Sequence, residues 1–408
     1  MPDADAETLR AHRALAAARE RLAARDGAIL RAQIEVSEIA APTGEEGDRA
    51  AWIARRFATL GLVDVRTDSA GNVVGRRRGS NGATGNGGTG DAPVVVCAHL
   101  DTVFPRDTPL RVRREGTLLA GPGIGDNGRG LAVMLALAEE LDGARLRTKH
   151  PVDFVATTGE EGLGDLRGAK HIFEASHAEA AAMIALDGAG DERVIHRALG
   201  ARRYRIAYRG PGGHSWAAYG VPNPVHAAGA AAARLASLPL PATPRTTLTV
   251  GRIGGGFSVN AIPEDGWLEV DLRSTSARII ARADRELRVI ALQAAEEENA
   301  RRAPGTPPLT VCVSVIGDRP CGETASDHPL VLAAVAATRL VGREPELATA
   351  STDANVPISR GIPAVAIGAG GRGGEAHTAG EWFDNTEGAL GIARALTLVV
   401  STAGLAVP

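Results

Sequence analysis

Residues 94–103 read VVVCAHLDTV, an apolar run that passes directly into His99, Leu100 and Asp101. Val94, Val95, Val96 and Cys97 fit a short, fully buried strand. Side chains two apart on an extended chain point to the same side. Asp101 can therefore lie beside His99, as a carboxylate must if it is to hold an imidazole in one tautomer for a metal ion. A lone histidine at a strand end is more often structural, so the weight falls on whether other strands end the same way.

They do. Val152–Thr157 reads as a strand running into Gly159-Glu160-Glu161, and Ala182–Leu186 as one running into Asp187. A glycine-rich loop, Gly121–Gly130, carries Asp126 and leads into a helix expected over Leu131–Leu141. Upstream, Thr43 and Glu46 have the spacing of a capping box, opening a helix that carries Ala51, Ile53, Phe57 and Leu60 and stops at Gly61. A strand-like segment then runs to Arg78 with a turn signal at Gly71-Asn72. Glu7 to Arg31 alternates Ala and Leu with Arg and Glu, as one amphipathic helix would. The stretch 79–91 (GSNGATGNGGTGD) has a composition that cannot pack and reads as a mobile surface loop. The whole is an α/β pattern with polar residues at strand ends, where open α/β sheets place their sites.

Near Gly200 the texture changes. Arg203–Tyr208 alternates as a strand, a Gly-Pro-Gly-Gly turn follows, and a helix is expected from Pro224 to Ser237. Thr246–Ile253, Trp267–Leu272 and Thr310–Val315 read as strands, with a long helix over Ala277–Ala300 between the last two. Strand-helix-strand-strand-helix-strand is a ferredoxin-like split βαβ unit. After Gly317 the first pattern resumes with a helix over Leu330–Leu340, a strand over Ala364–Ile367 and a helix over Thr386–Val400. The expectation is an α/β domain made of residues 1–199 and 318–408, interrupted by an α+β domain over 200–317.

At 408 residues the chain exceeds what one hydrophobic core usually supports, which agrees with two domains. A hydrophobic content of 44% with 23% charged residues is that of an ordinary globular protein. The net charge of −3 gives no global pull toward nucleic acid, and Arg76-Arg77-Arg78 reads as a solvated strand end. No apolar run reaches the roughly 20 residues of a membrane span. The N-terminus has no apolar signal core, and Cys97, Cys312 and Cys321 are too scattered for a disulfide framework, so a reducing cytoplasm is expected.

Five candidate metal ligands stand out: His99, Asp126 in GIGDN, Glu161 in TTGEEG, Asp187 in IALDG and His377 in GGEAHTAGEW. Two imidazoles and three carboxylates suit zinc or a similar first-row divalent ion. Five ligands are too many for one tetrahedral ion but serve two if a carboxylate bridges. Glu160, beside Glu161, is then a natural general base, because adjacent residues point different ways. Each residue alone has a plainer reading: Asp126 and Asp187 as turn residues, Glu160-Glu161 as a helix first turn, His214 as a cap. Gly123-Ile-Gly-Asp-Asn-Gly128 also fits a dinucleotide fingerprint, but Asp126 would set a carboxylate where a pyrophosphate must meet backbone N–H groups. A metal-free binding protein on the same fold is the third class; it finds no support, since every candidate ligand is present. His12, His150, His171, His177, His196, His226 and His328 lack a comparable setting and read as structural.

In this order, AHLDTV, GPGIGDNGRG, TTGEEG, ALDG, GGHS, VNAIPEDGWLEVDLRS and the final AH resemble the di-zinc exopeptidase family of peptidase T, carboxypeptidase G, aminoacylase and succinyl-diaminopimelate desuccinylase. The resemblance runs from Pro42 to His377. It implies that Asp126 bridges two metals, with His99 and Asp187 completing one site and Glu161 and His377 the other. It makes Asp101 the partner of His99, Glu160 the base, and His214 a lid histidine that polarises the substrate carbonyl, often across a dimer. Asn260 and Arg273 correspond to substrate contacts, and the inserted domain to a lid and homodimer interface. Gly370–Gly374 and Ser351-Thr352-Asp353 look like substrate-side loops, while Gly128-Arg129 departs from the family's usual residues. The implied function is hydrolysis of an amide bond with two divalent ions, zinc first and cobalt or manganese as alternatives. The substrate is a short peptide, taken by an aminopeptidase or dipeptidase, or an N-acyl or N-carbamoyl amino acid. No nucleic acid or membrane partner is expected.

Overall fold

The computed structural model describes residues 2–80, 92–141 and 146–406, with side chains described from Arg13 onward. Most of the glycine-rich stretch expected to be a loop, 81–91, lies outside the described residues. Internal contacts divide the chain into two compact units, one ending at Ala198 and resuming at Glu323, the other spanning Leu199–Gly322.

In the first unit four strands run parallel in the order Val152–Thr157, Val94–His99, Ala182–Leu186, Ala364–Ile367. They form the centre of a nine-stranded mixed sheet. Val94, Val96 and Ala98 join one hydrophobic cluster while Val95 and Cys97 join another. The first cluster includes residues of the helices Gly128–Glu140 and Gly388–Ala403, the second those of Arg167–Ala175 and Asn355–Ser359. Burial on both faces is why these strands read as unbroken apolar runs rather than alternating ones. Parallel strands bring their carboxyl ends to one edge of the sheet. There lie His99, then Glu160 and Glu161 just past Thr157, and Asp187 just past Leu186.

The second unit is an antiparallel sheet in the order Thr246–Gly255, Asp265–Ser274, Gly200–Arg209, Thr310–Arg319. Helices Pro224–Ala236 and Ala277–Ala300 pack on it through one cluster containing Ala227, Ala231, Leu287 and Ala291 together with Tyr204, Ile206 and Leu268. This is the ferredoxin-like order, and the fold class is the expected α/β unit interrupted by an α+β one.

Two local expectations need correction. The N-terminal segment is two helices, Pro2–Ala24 and Asp26–Ser37, joined at Arg25 (φ −101°, ψ 7°), just before the turn-forming pair Asp26-Gly27. Thr43 and Glu46 form no capping box: the helix Gly47–Thr59 has no side-chain cap, Thr43 Oγ1 donates to Asp101, and Glu46 accepts from Gly159 N and Arg167. The segment up to Arg78 turns where Gly71-Asn72 led one to expect, as an antiparallel pair, Val63–Thr67 with Val73–Arg77. No described helix is long and apolar enough to cross a membrane.

Asp153 is buried on a central strand, accepting two bonds of 2.7 Å from Arg76 and lying 2.8 Å from His177 Nε2. Burial pushes this carboxyl up, but Arg76 and His177 outweigh it and hold it below its usual value. Asp153→Ala should cost about 2–3 kcal/mol at neutral pH, the scale of hydrogen bonds to a charged group. A depressed folded-state pKa gives stability that is complete above the unfolded value and lost as pH falls through the folded one. Urea denaturation should therefore show a wild-type advantage at pH 7 that closes in acid.

Candidate metal centre

His99, buried at the end of its strand, lies 3.0 Å from the Asp101 carbonyl oxygen through Nδ1, with the Asp101 carboxylate 3.6 Å away. Its Nε2 is 2.9 Å from Asp126 Oδ1 and 3.8 Å from Asp187 Oδ1. Asp126 turns its other oxygen to His377 Nε2 at 3.1 Å, and that nitrogen is also 2.9 Å from Glu161 Oε1. One carboxylate thus faces two imidazoles through its two oxygens, the arrangement a bridging ligand needs. Donor atoms gather in three groups, each within 4.8 Å: His99–Asp126–Asp187, Asp126–Glu161–His377 and His99–Glu160–Glu161. The first two share only Asp126 and leave Glu160 outside both. As a nitrogen–oxygen donor set with three ligands per ion, these residues fit two divalent cations.

The charges in this cluster are strongly coupled to position. Burial pushes Asp101 up, yet His99 and the N–H groups of Glu161 and Glu160 (both 2.9 Å) outweigh it and hold its carboxyl at about 2. Thr43 Oγ1 donates to Asp101 as well, at 2.8 Å. Asp126 is likewise held well below the carboxylate range: burial opposes, and the two imidazoles prevail. Burial lifts Glu161 to about 6, with the negative Asp126 adding to it. His377 is raised to about 9, first by its bond to Asp126. A cation taking the place of that imidazole proton would satisfy the same carboxylates.

Two residues that sequence reasoning missed hold this geometry. Glu381 accepts from Gly123 N at 2.7 Å, and from Gly125 N and Asp126 N at 2.8 Å each, so one carboxylate fixes the whole Asp126 loop. Asn127 accepts from Gly130 N, capping the helix Gly128–Glu140, and from Gly188 N, while donating to Leu186 O at 2.8 Å. It ties Asp126 to the strand end that presents Asp187. The only trace of Glu381 in the sequence is an acidic residue four positions after His377. Asp353, in the expected substrate-side loop, is buried; it accepts from Thr157 Oγ1, and burial lifts it to about 6. Arg129, where the chain departs from the expected motif, is also buried. It donates to Ala369 O and Gly388 O at 2.8 Å and stacks on Phe383, so its part is structural.

The other anticipated residues belong to the second unit. His214 pairs with Ala261 in a short ladder, and Ser215 N donates to Asn260 O at 3.0 Å, so His214 and Asn260 are neighbours. His214 Nδ1 accepts from Trp216 N and Ala217 N, which leaves its proton on Nε2. Arg273 is not brought to them. It sits eight positions along its strand from Asp265, roughly 26 Å at ~3.3 Å per residue, in an ion pair with Asp271 at 2.6 Å.

Residues 95–401 match the model of peptidase family M20/M25/M40. Among curated proteins, the alkaline phosphatase isozyme conversion protein of Escherichia coli (strain K12) is 32% identical over 121 residues, which are 27% of this chain and 34% of that protein. The matched stretch thus spans about a third of that relative's length. The crystal structure of aminopeptidase PepT from Bacillus cereus ATCC 10987 superposes with a TM-score of 0.71 at 22% identity, over 94% of this chain and 99% of that one. The YXEP protein of Bacillus subtilis, described as a dinuclear metal-binding peptidase, gives 0.64 at 17% identity, over 94% and 98%. These two likenesses show the fold.

Glu381 is in none of the three donor groups, yet it fixes the loop that presents Asp126. Glu381→Ala should lower affinity for divalent ions about 10–100-fold, as loss of a ligand-orienting group does, while the far-ultraviolet spectrum stays that of the folded chain. Titration with a chromophoric chelator competing for zinc measures this; unchanged affinity would show that the glycine-rich loop holds its shape without Glu381.

Proposed function

This chain belongs to peptidase family M20/M25/M40, and on that premise we propose that it hydrolyses amide bonds with two divalent ions, as an aminopeptidase or dipeptidase acting on short peptides. The observation that carries the reading is Asp126 set between His99 and His377, with Glu160 beside the cluster and outside both three-donor sets. His99, Asp126 and Asp187 would hold one ion, and Asp126, Glu161 and His377 the other. Zinc suits these donors, and cobalt or manganese could replace it. Bound there, the ions would polarise the scissile carbonyl and acidify a water.

The chain's own residues supply the rest. Glu160 takes the proton of the attacking water and returns it to the leaving amine. Asp101 keeps the His99 ring oriented and its tautomer fixed. His214, with its proton on Nε2, donates to the carbonyl oxygen as negative charge develops there, and Asn260 contacts the substrate beside it. A substrate contact for Arg273 rests on the family resemblance alone, since its guanidinium is engaged by Asp271. The same machinery would cleave an N-acyl or N-carbamoyl amino acid, which is the alternative substrate class. We place the protein in the cytoplasm, a reading supported by three free cysteines. We further propose a homodimer joined through the second unit, supported by the outer strands Thr246–Gly255 and Thr310–Arg319, which stand at the two edges of its sheet.

Glu160→Gln preserves size and hydrogen bonding but removes the proton acceptor. Turnover on a cleaved dipeptide should fall about 10²–10⁴-fold with two ions still bound by elemental analysis, whereas Glu161→Gln should lose metal. Equal metal loss in both variants would reverse the assignment of the two glutamates.

The dimer is tested separately. His214→Ala should lose about 10²–10³ in turnover, the scale of one oxyanion donor, and keep both ions. Mixed with Glu160→Gln under conditions where subunits exchange, it should regain activity, because a hybrid carries one intact site if His214 acts across the dimer. Exchange without recovery would place His214 in its own chain's site or outside catalysis.

A further inference from the structure

A groove of about 400 Å³ lies on the first unit, within the size range of small-molecule pockets. One wall is the turn 189–192, which begins two residues after Asp187. The other holds Gly373 and Trp382, on the two paired strands that frame the loop carrying His377. Two residues of chain span at most about 7 Å, so the groove opens within reach of one long side chain from a candidate metal ligand. Its walls are fastened at the base, where Gly190 N donates to Gly370 O at 3.3 Å and Gly370 N to Gly190 O at 2.9 Å. A Cβ on Gly373 would come within 2.9 Å of the Ala189 methyl group, so small residues form the floor.

The charges along the groove pair off and leave one over. Arg343 reaches Asp191 at 3.1 Å and Glu387 at 2.5 Å. Arg372 stands opposite Asp384 in the strand pair. Glu192 is exposed, and its side chain makes no hydrogen bond or ion pair among the described residues. The aromatic wall is open in a similar way. Trp52 and Trp267 each lie under an arginine, Arg56 at 5.4 Å and Arg205 at 4.2 Å from the ring centroid. Trp382 has no cation over its ring among the described residues. The backbone of Gly374 lies against part of that half-buried ring, since a Cβ there would come within 2.8 Å of it. An open indole beside an unpaired carboxylate complements a side chain with an aliphatic stem and a cationic head.

We propose that this groove receives the side chain of the substrate residue whose carbonyl is attacked, and that it selects lysine or arginine there, with the stem along Trp382 and the cationic head on Glu192. The inference rests on the reading of the chain as an amide hydrolase with ions held by Asp187 and His377, because each wall of the groove leads to one of these residues. It narrows the substrate class to short peptides that begin with a basic residue. It also favours peptides over N-acyl and N-carbamoyl amino acids, whose attacked carbonyl carries no such side chain.

The test uses the metal-loaded full chain and dipeptides ending in alanine, with lysine or its uncharged analogue norleucine in first position. Lysyl-alanine should be favoured over norleucyl-alanine about five- to tenfold in kcat/KM, the scale of a hydrogen bond to a charged group. In Glu192→Gln that ratio should fall to about one, and Glu192→Asp should keep part of it. Trp382→Leu retains an apolar wall without the aromatic face, and should lower the ratio about two- to threefold. A wild-type ratio of about one, or a ratio that Glu192→Gln or Trp382→Leu leaves unmoved, overturns the proposal. So does a preference for glutamyl-alanine over glutaminyl-alanine, which would give the groove to Arg372 and an acidic side chain. Should no peptide be cleaved, the hydrolase reading fails, and calorimetric binding of lysyl-alanine and norleucyl-alanine to the metal-loaded chain still decides the groove. Lysyl-alanine bound more tightly, with the difference lost in Glu192→Gln, supports it; equal binding refutes it.

Discussion

Everything at the edge of the first unit's sheet is arranged around the sharing of one carboxylate. Asp126 cannot satisfy both His99 and His377 unless its two oxygens face opposite ways, and that requires the two histidines to approach from different parts of the chain. One arrives at the end of a parallel strand, the other on a loop 251 residues beyond Asp126. The loop pays in backbone strain: His377 and Glu375 both have left-handed φ values, 65° and 55°, a region few residues other than glycine adopt. Such strain persists only where surrounding contacts impose it.

The surroundings do so by supplying hydrogen-bond donors to carboxylates that would otherwise repel one another. Asp101 receives two backbone N–H groups and a hydroxyl, Glu381 three backbone N–H groups. Behind them lie fully buried guanidinium groups whose partners are mostly carbonyls. Arg49 reaches Leu100 O at 2.7 Å and Ile39 O at 2.6 Å, and burial lowers it to about 10 against the pull of Asp101. Arg129 clamps the strand end at Ala369 to the helix start at Gly388. Neither arginine reaches the reacting groups. Each closes off carbonyls at a chain reversal next to the cluster, so that the cluster's own donors stay aimed inward.

What could be read in the sequence follows the range of the forces involved. Val94–His99, Val152–Thr157, Ala182–Leu186 and Ala364–Ile367 were legible as strands because burial on both faces leaves a local apolar signature. The ligand candidates were legible because each follows such a strand or sits in a distinctive glycine setting. Thr43 and Glu46 misled because a capping residue and a tertiary hydrogen-bonding residue are drawn from the same short list of side chains. Glu381 was out of reach for a plainer reason: its partners are 255 to 258 residues away, and nothing near it records their need. Asn127 was hidden beside the more conspicuous Asp126. The break at Arg25 had a local trace in the Asp26-Gly27 pair that follows it, masked by the helical pattern on either side.

The second unit leaves and rejoins its host by adjacent threads. Its first strand pairs with its last, Ala201 standing opposite Arg319, while on the other side of the junction Arg197 holds Glu323 and Thr324 N donates to His196 O. To the host sheet, therefore, the whole of Leu199–Gly322 is equivalent to a hairpin turn. The entropy of closing a connection grows only with the logarithm of its length, so the host gives up little by carrying a domain in place of a few residues. Such a junction behaves as a socket: the host strands meet the same two chain ends whatever lies between Leu199 and Gly322, so the insert can be exchanged or enlarged without rebuilding the host sheet.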